Sequence, residues 1–351
     1  MNRLGRWSRE AANTDPWTNV YGVGRTLLAL GTALTLIFTR SSTLFRPAAG
    51  LPTAPFCSEV SRLSIFCAMP PGRLELARWI SVAILLLVAS GWRPRVTGLL
   101  HWWISFSLQS SAIGVDGGDQ ATCILTLLLL PVTLTDPRAW HWKRSQSSIV
   151  TTADASKRII ALSALAITRL QVAGIYFHAA VGKFKVPEWV DGTGLYYFLT
   201  SPVYGASDWL MPLLRPLLMN GITVSLLTWS VLLTEILLAA GLVIRKERWP
   251  VLLTLGIVLH ALIGVVLGLI SFALAMIGAL VLYLRPIEKP VRFSWLKSVW
   301  RSSLAGRLQH SPRNACIGLP IGEISRNNLE DQCSFVEVGD ERVEASQAAN
   351  P

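Results

Sequence analysis

The stretch IYFHAAVGKFKVPEWVDG, residues 175–192, joins an apolar run to a segment with two lysines, a glutamate, an aspartate and a tryptophan. His178 lies one turn inside the end of the apolar run, and Lys183 closes it. Asp116 and Asp119 sit in a second polar stretch, GVDGGDQ. A histidine could serve here as a base or a ligand, or only as a hydrogen-bonded packing residue. A terminal lysine could belong to a site, or only anchor a helix by snorkelling to the interface. Helical phase bears on the choice. Arg169, Tyr176 and Lys183 are spaced by seven and share one stripe, and Gln171 and His178 share another. A helix that is polar on two stripes cannot face lipid alone and belongs inside a bundle. With an aromatic lid beyond it, the segment defines a candidate site. Lys183, His178 and Asp119 are its catalytic candidates, and Asp116, Gln171, Trp189, Asp191 and Tyr196 are its binding candidates.

A second set lies deeper. Ionisable groups in hydrocarbon cost about 2.5–3.5 kcal/mol each on insertion scales and so need a partner or a task. At 1.5 Å per residue, Arg169 lies roughly 16 Å beyond Arg158, and Glu235 and His260 lie roughly 15 Å from Arg245 and Pro250. Equal depths predict a buried cluster in which Arg169 pairs with Glu235 beside His260. The pair would either fix helix packing or take part in catalysis. Arg25 and Arg78 lie near span ends, can snorkel, and receive no function.

The elements that carry these residues are membrane helices. The chain has 351 residues, 52% hydrophobic and only 15% charged, where soluble domains carry about a quarter charged. Eight apolar runs, roughly 19–39, 76–92, 96–113, 119–135, 159–182, 221–244, 250–267 and 269–284, are candidate spans. The last two come from one uncharged stretch, Pro250 to Leu284, divided near Gly268 because about 20 residues suffice to cross. The fold class is therefore all-α and polytopic. The net charge of +11 comes largely from basic residues in short loops, the positive-inside pattern, and does not point to nucleic acid. Arg3, Arg6 and Arg9, Arg93 and Arg95, Arg138 to Arg158, Arg245 to Arg248, and Arg285 to Lys297 all fall on one side of an eight-span bundle. That side is cytoplasmic, and both termini lie there. The first outside loop breaks the rule with Arg40, Arg46, Arg62 and Arg73. No cleavable signal is expected near the start.

The expected organisation is a cytoplasmic N-terminus over 1–17, a transmembrane domain over 18–285 and a cytoplasmic tail over 286–351, disordered beyond about residue 303. Cys57 and Cys67 share an outside loop and are expected to form a disulfide, the alternative being two free thiols. Cys123 is a packing residue in a span, and Cys316 and Cys333 are reduced residues of the tail. Residues 194–219 form either a re-entrant segment roofing a cavity or an ordinary interfacial loop. HExxH, CxxC, P-loop and GxSxG patterns are absent.

The pattern RLQVAGIYFHAAVGKFKVPEWVDGTGLYYFLTSPVYG, residues 169–205, resembles the HTTM membrane domain shared with vitamin K-dependent gamma-carboxylases. Taken with residues 15–38, 115–142 and 267–284, the chain resembles more closely the SdpB family of bacterial sporulation-delaying toxin systems. The likeness covers residues 15–285. It implies a multi-pass cell-membrane protein of bacteria that acts with an SdpA-like subunit on an exported precursor to yield an antimicrobial peptide. The carboxylase side of the resemblance implies that Lys183 stands where a lysine base acts on a quinone-type cofactor. A base there needs its pKa lowered, which partial burial provides. The histidine that the carboxylase places before its matching helix is replaced here by GGDQAT, and the lumenal domain has no counterpart. A quinone-dependent carboxylase-like or redox enzyme is the alternative reading. A peptide transporter or immunity protein is a third.

Overall fold

The apolar runs form helices in the computed structural model, which describes residues 10, 12–48, 50, 53–70, 72–143 and 151–291. In chain order the main helices are α1 (Asn19–Phe38), α2 (Leu74–Ser90), α3 (Pro94–Ser111), α4 (Gly117–Leu128), α5 (Leu130–Thr135) and α6 (Thr152–Lys183). They continue with α7 (Pro187–Val190), α8 (Gly194–Leu199), α9 (Met211–Leu218), α10 (Gly221–Ala239), α11 (Trp249–Val266) and α12 (Ile270–Leu284). Among the described residues there is no β-strand, only an isolated bridge between Trp92 and Trp140. The chain divides into two units, Met1–Arg292 and Phe293–Pro351. The second unit lies outside the described residues, and with it the expected disorder and reduced Cys316 and Cys333.

Four helical stretches are long and apolar enough to cross a membrane: Asn19–Phe38, Thr152–Lys183, Gly221–Leu242 and Lys246–Val266. The other apolar runs are helical but shorter or broken. The expected span 119–135 is not one helix. It breaks at Leu129 between α4 and α5, because Pro131 has no N–H to donate and its ring crowds the carbonyl one turn back. The long uncharged stretch breaks at Gly268, whose φ of +72° reverses the chain between α11 and α12. α6 begins seven residues before the expected start of its span. Thr151 caps it by accepting from the Asp154 N–H, and donates its own hydroxyl to the Asp154 carboxylate at 2.8 Å. That hydroxyl and the Lys157 ammonium hold the Asp154 carboxyl below its usual range.

Apolar surface leaves lipid for protein with little hydrophobic gain, so close van der Waals contact must hold such helices together. α1 and α12 show the means. A Cβ on Gly24 would lie 2.5 Å from Leu282 Cγ, and one on Gly278 would lie 3.0 Å from the Gly24 carbonyl. Only bare backbone permits this approach. One apolar cluster joins α4, α6 and α12 through Leu125, Val172, Tyr176 and Leu280. A second joins α1, α2 and α3 to the 40–70 loop through Leu36, Leu85, Leu108, Phe45 and Phe66. In that loop Cys57 is disulfide-bonded to Cys67, while Cys123 is free and half-buried in α4.

The two arginines expected to snorkel do not. Arg78 is buried, pairs with Glu75 at 2.7 Å and donates to the carbonyls of Leu36, Ile37 and Thr39, closing the end of α1. Arg25 is also buried, 1% exposed, and donates to Thr97 Oγ1 at 2.6 Å. Arg25 lies on a face turned toward α3, and Arg78 on a face turned toward the end of α1, with the half-exposed Glu75 beside it.

Candidate functional site

Lys183, the last residue of α6, carries the best-formed ionic contact near the expected site. Its Nζ donates to both carboxylate oxygens of Glu235 on α10, at 2.7 and 2.9 Å. The Trp189 ring lies across the ammonium, 5.2 Å from Nζ to the ring centroid. This arrangement follows from the local sequence. Pro187 starts the short α7 that lifts Trp189 back over the helix end. Gly194 lets the indole settle against the chain: a Cβ there would lie 2.8 Å from Trp189 Cδ2. Leu195 N–H then donates to Thr228 Oγ1 at 3.2 Å, fastening the segment to α10.

One turn pair back along α6, the Tyr176 hydroxyl meets His260 Nε2 of α11 at 2.8 Å. The His260 ring packs edge-on against Phe272 of α12, with centroids 5.5 Å apart. Glu235 lies within electrostatic reach of Tyr176, and Lys183 within reach of His260. The four side chains therefore form one polar column between α6, α10 and α11.

The expected Arg169–Glu235 pair does not form. Glu235 is bound by Lys183, and Arg169 instead lies over the Trp249 ring at 5.3 Å, beside the start of α11. Arg169 is level with Trp249, the first residue of α11, and Tyr176 two turns on is level with His260, so Arg169 sits lower along the bundle than the expected cluster.

Asp116 and Asp119 stand apart from this column. Asp116 caps α4, accepting from the Gly118 and Asp119 N–H groups at 2.7 and 2.9 Å, and Ser271 donates to its other oxygen at 3.3 Å. Asp119 accepts from Thr32 Oγ1 at 2.6 Å, and its second oxygen is buried without a hydrogen-bond partner among the described residues. Phe272 stands between the two groups, touching Gly117 and Gly118 on one side and His260 on the other.

The remaining candidates are not drawn in. His178 is exposed and touches only the Phe177 ring among aromatic neighbours. Gln171 is half-buried and makes no side-chain hydrogen bond among the described residues. Tyr196 is exposed and pairs with Tyr197 rather than covering Lys183. Asp191 is exposed and shapes a turn by accepting from the Thr193 hydroxyl and N–H at 2.6 and 2.9 Å. Those bonds, the hydroxyl's first, hold its carboxyl below the usual range. Trp249, a neighbour of Arg169, was not singled out by sequence reasoning. Tyr176 was legible only as the middle member of the seven-residue stripe.

The chain is 42% identical over 296 residues to the uncharacterized protein YitO of Bacillus subtilis (strain 168), covering 84% of this chain and 93% of YitO. It is 36% identical over 291 residues to the sporulation-delaying protein SdpB of the same organism, covering 82% of this chain and 87% of SdpB. The chain belongs to the SdpB family. No protein-family model matches it, and no solved structure matches it.

The column offers proton chemistry. Among the described residues no group of three His, Cys, Asp or Glu could hold a metal ion. A proton taken from a bound group would be shared between the Lys183 nitrogen and the carboxylate it touches. The Lys183 side chain is 23% exposed and that of Glu235 10%, so a molecule reaching the pair meets the lysine first, past Trp189. A quinone headgroup needs free donors for its carbonyls. Here two of the three Lys183 N–H groups are taken by Glu235 and the Tyr176 hydroxyl by His260, while the third Lys183 N–H and the buried His260 Nδ1 stay unengaged among the described residues.

Proposed function

We propose that this SdpB-family chain is an integral membrane factor that matures an exported antimicrobial or toxin peptide together with an SdpA-like subunit, with Lys183 and Glu235 as its working pair. Kinship with a sporulation-delaying protein over most of both chains carries the reading. The lysine–carboxylate pair beneath one indole supports the choice of site. The bundle in this reading has eight spans with both termini cytoplasmic. Basic residues in alternate loops support that orientation, and the four shorter apolar runs complete the four long helices. The proposed chemistry is proton transfer at the pair: Lys183 passes one proton to the Glu235 carboxylate, and the amine so freed takes the proton of the bound group, leaving an ammonium beside the new anion.

Lys183→Arg separates an anchor from a base. Arginine keeps the positive charge and can still pair with Glu235, but its guanidinium does not deprotonate near neutral pH. Mass spectrometry of the exported peptide, from cells with the wild-type protein, with none, and with this variant, reads the outcome. The expected result is mature peptide from wild type only, with Lys183→Arg present at normal abundance. Lys185→Gln, exposed beyond the helix end, should mature the peptide as wild type does. Mature peptide at the normal rate from Lys183→Arg would make Lys183 an anchor.

A further inference from the structure

A second buried polar cluster lies where α1 begins, remote in sequence from the Lys183 column. Arg25 is its centre. One of its nitrogens donates to Thr97 Oγ1, while Nε and Nη1 are buried without a hydrogen-bond partner among the described residues. Tyr21 hydroxyl, His101 Nε2 and His141 Nδ1 are buried and equally unpartnered. Tyr21, His101 and His141 are each 1% exposed or less. All three lie within electrostatic reach of Arg25.

The charges in this cluster do not cancel. Asp136 is the carboxylate within reach of Arg25. It is already gripped by Arg138 through two bonds, Nε to Oδ1 at 2.9 Å and Nη2 to Oδ2 at 2.7 Å. Arg138 also donates to the carbonyls of His141 and Lys143 at 2.8 and 2.9 Å. Two guanidiniums thus share one carboxylate, leaving one positive charge. Burying an uncompensated charge costs several kcal/mol, so the cluster calls for a counter-ion.

The surroundings are built to hold these side chains in place. His141 is wedged between two glycines. A Cβ on Gly22 would lie 2.9 Å from His141 Cδ2, and one on Gly91 would lie 2.5 Å from His141 Nε2. Thr26 Oγ1 lies 3.4 Å from His141 Nε2. A cavity of about 950 Å³ lies before the start of α1, lined by Trp17, Thr18, Trp142 and Lys143 and by the acidic Asp15 and Glu288; Arg25, Tyr21, His101 and His141 do not line it. Thr18 Oγ1, in its lining, is a further buried hydroxyl without a hydrogen-bond partner among the described residues.

We propose that Arg25, with Tyr21 and His101, binds one monovalent anion, a halide or a small carboxylate, where Arg25 of α1 meets Thr97 of α3. Guanidinium, phenol and imidazole N–H groups are all donors, and Thr97 fixes the guanidinium without neutralising it.

The test uses the full chain in detergent. Binding of radiolabelled chloride is measured at constant ionic strength with sulfate as the balancing salt, and bromide and acetate serve as competitors. The expected result is saturable binding at one site, displaced by bromide or by acetate. Which of the two displaces at lower concentration separates a halide site from a carboxylate site. Arg25→Gln should weaken binding about tenfold or more, as loss of a charged hydrogen-bond donor does. Should that variant fail to fold, Thr97→Val, which frees the guanidinium from its tether, should change the affinity instead. Arg78→Gln, in the pair with Glu75, should leave binding as in wild type. Absence of saturable binding to wild type overturns the proposal. So does binding that Arg25→Gln, or in its place Thr97→Val, leaves unaltered.

Discussion

The Lys183–Glu235 column and the Arg25 cluster both bury ionisable groups among helices, yet they are composed in opposite ways. In the column nearly every polar atom is answered within the chain: ammonium by carboxylate, phenol by imidazole, indole face by ammonium. In the cluster the strongest donors are held in position but left unanswered. A closed set of bonds keeps a shape and works by exchanging protons inside itself. An open set of donors works by receiving something from outside. The contrast shows that burial of charge does not by itself indicate a role, and that the accounting of partners does.

The largest expected effect comes from breaking the closed set. Glu235→Gln leaves the Lys183 ammonium beside a neutral amide and should destabilise by about 3–5 kcal/mol, as single losses from buried pairs do. Thermal melts in detergent measure it. The double variant Lys183→Met, Glu235→Leu should recover most of that loss, because apolar replacements of buried pairs are often neutral. A wild-type melt for Glu235→Gln would remove the distinction between the two regions.

A smaller effect tests how rigidly the open set is seated. Gly22→Ala forces a methyl against the His141 ring and should cost about 1–3 kcal/mol, the range for overpacking. In a His141→Ala background the same change should cost much less, and the difference measures the wedge. Equal cost in both backgrounds would mean that His141 is not confined by Gly22.

The smallest effect sharpens the description of the column. Tyr176→Phe removes the hydroxyl from His260 Nε2 and leaves that nitrogen buried, at a cost of about 1–3 kcal/mol. Added to His260→Leu, it should cost little, because the nitrogen it would orphan is already gone.

Much of the column was legible in the sequence and its pairing was not. The seven-residue stripe of Arg169, Tyr176 and Lys183 turns one face of α6 toward α10 and α11, and Trp189 follows at the distance a short capping helix needs. Depth counting then misassigned the carboxylate. It put Glu235 level with Arg169, whereas Glu235 stands level with Lys183, two members further along the same stripe. The run of Asp and Gly before α4 resembled a site loop, but a carboxylate two and three residues before free N–H groups is an N-cap. His178 lies on the other polar stripe, and that stripe leaves it exposed rather than turned toward α10 and α11. Arg25 gave no warning, since a lone arginine near a span end reads alike whether it snorkels or is enclosed.

The histidine wedge has a consequence for how the chain is made. Gly22 and Gly91 are synthesised long before the imidazole that fills the gap between them. Helices α1 and α2 can enter the bilayer and meet, but the space between Gly22 and Gly91 stays unfilled until residue 141 has left the ribosome. Arg25 passes through that interval without its seat complete. The order of synthesis thus makes the 136–143 loop the latch that ends assembly of the first half of the bundle.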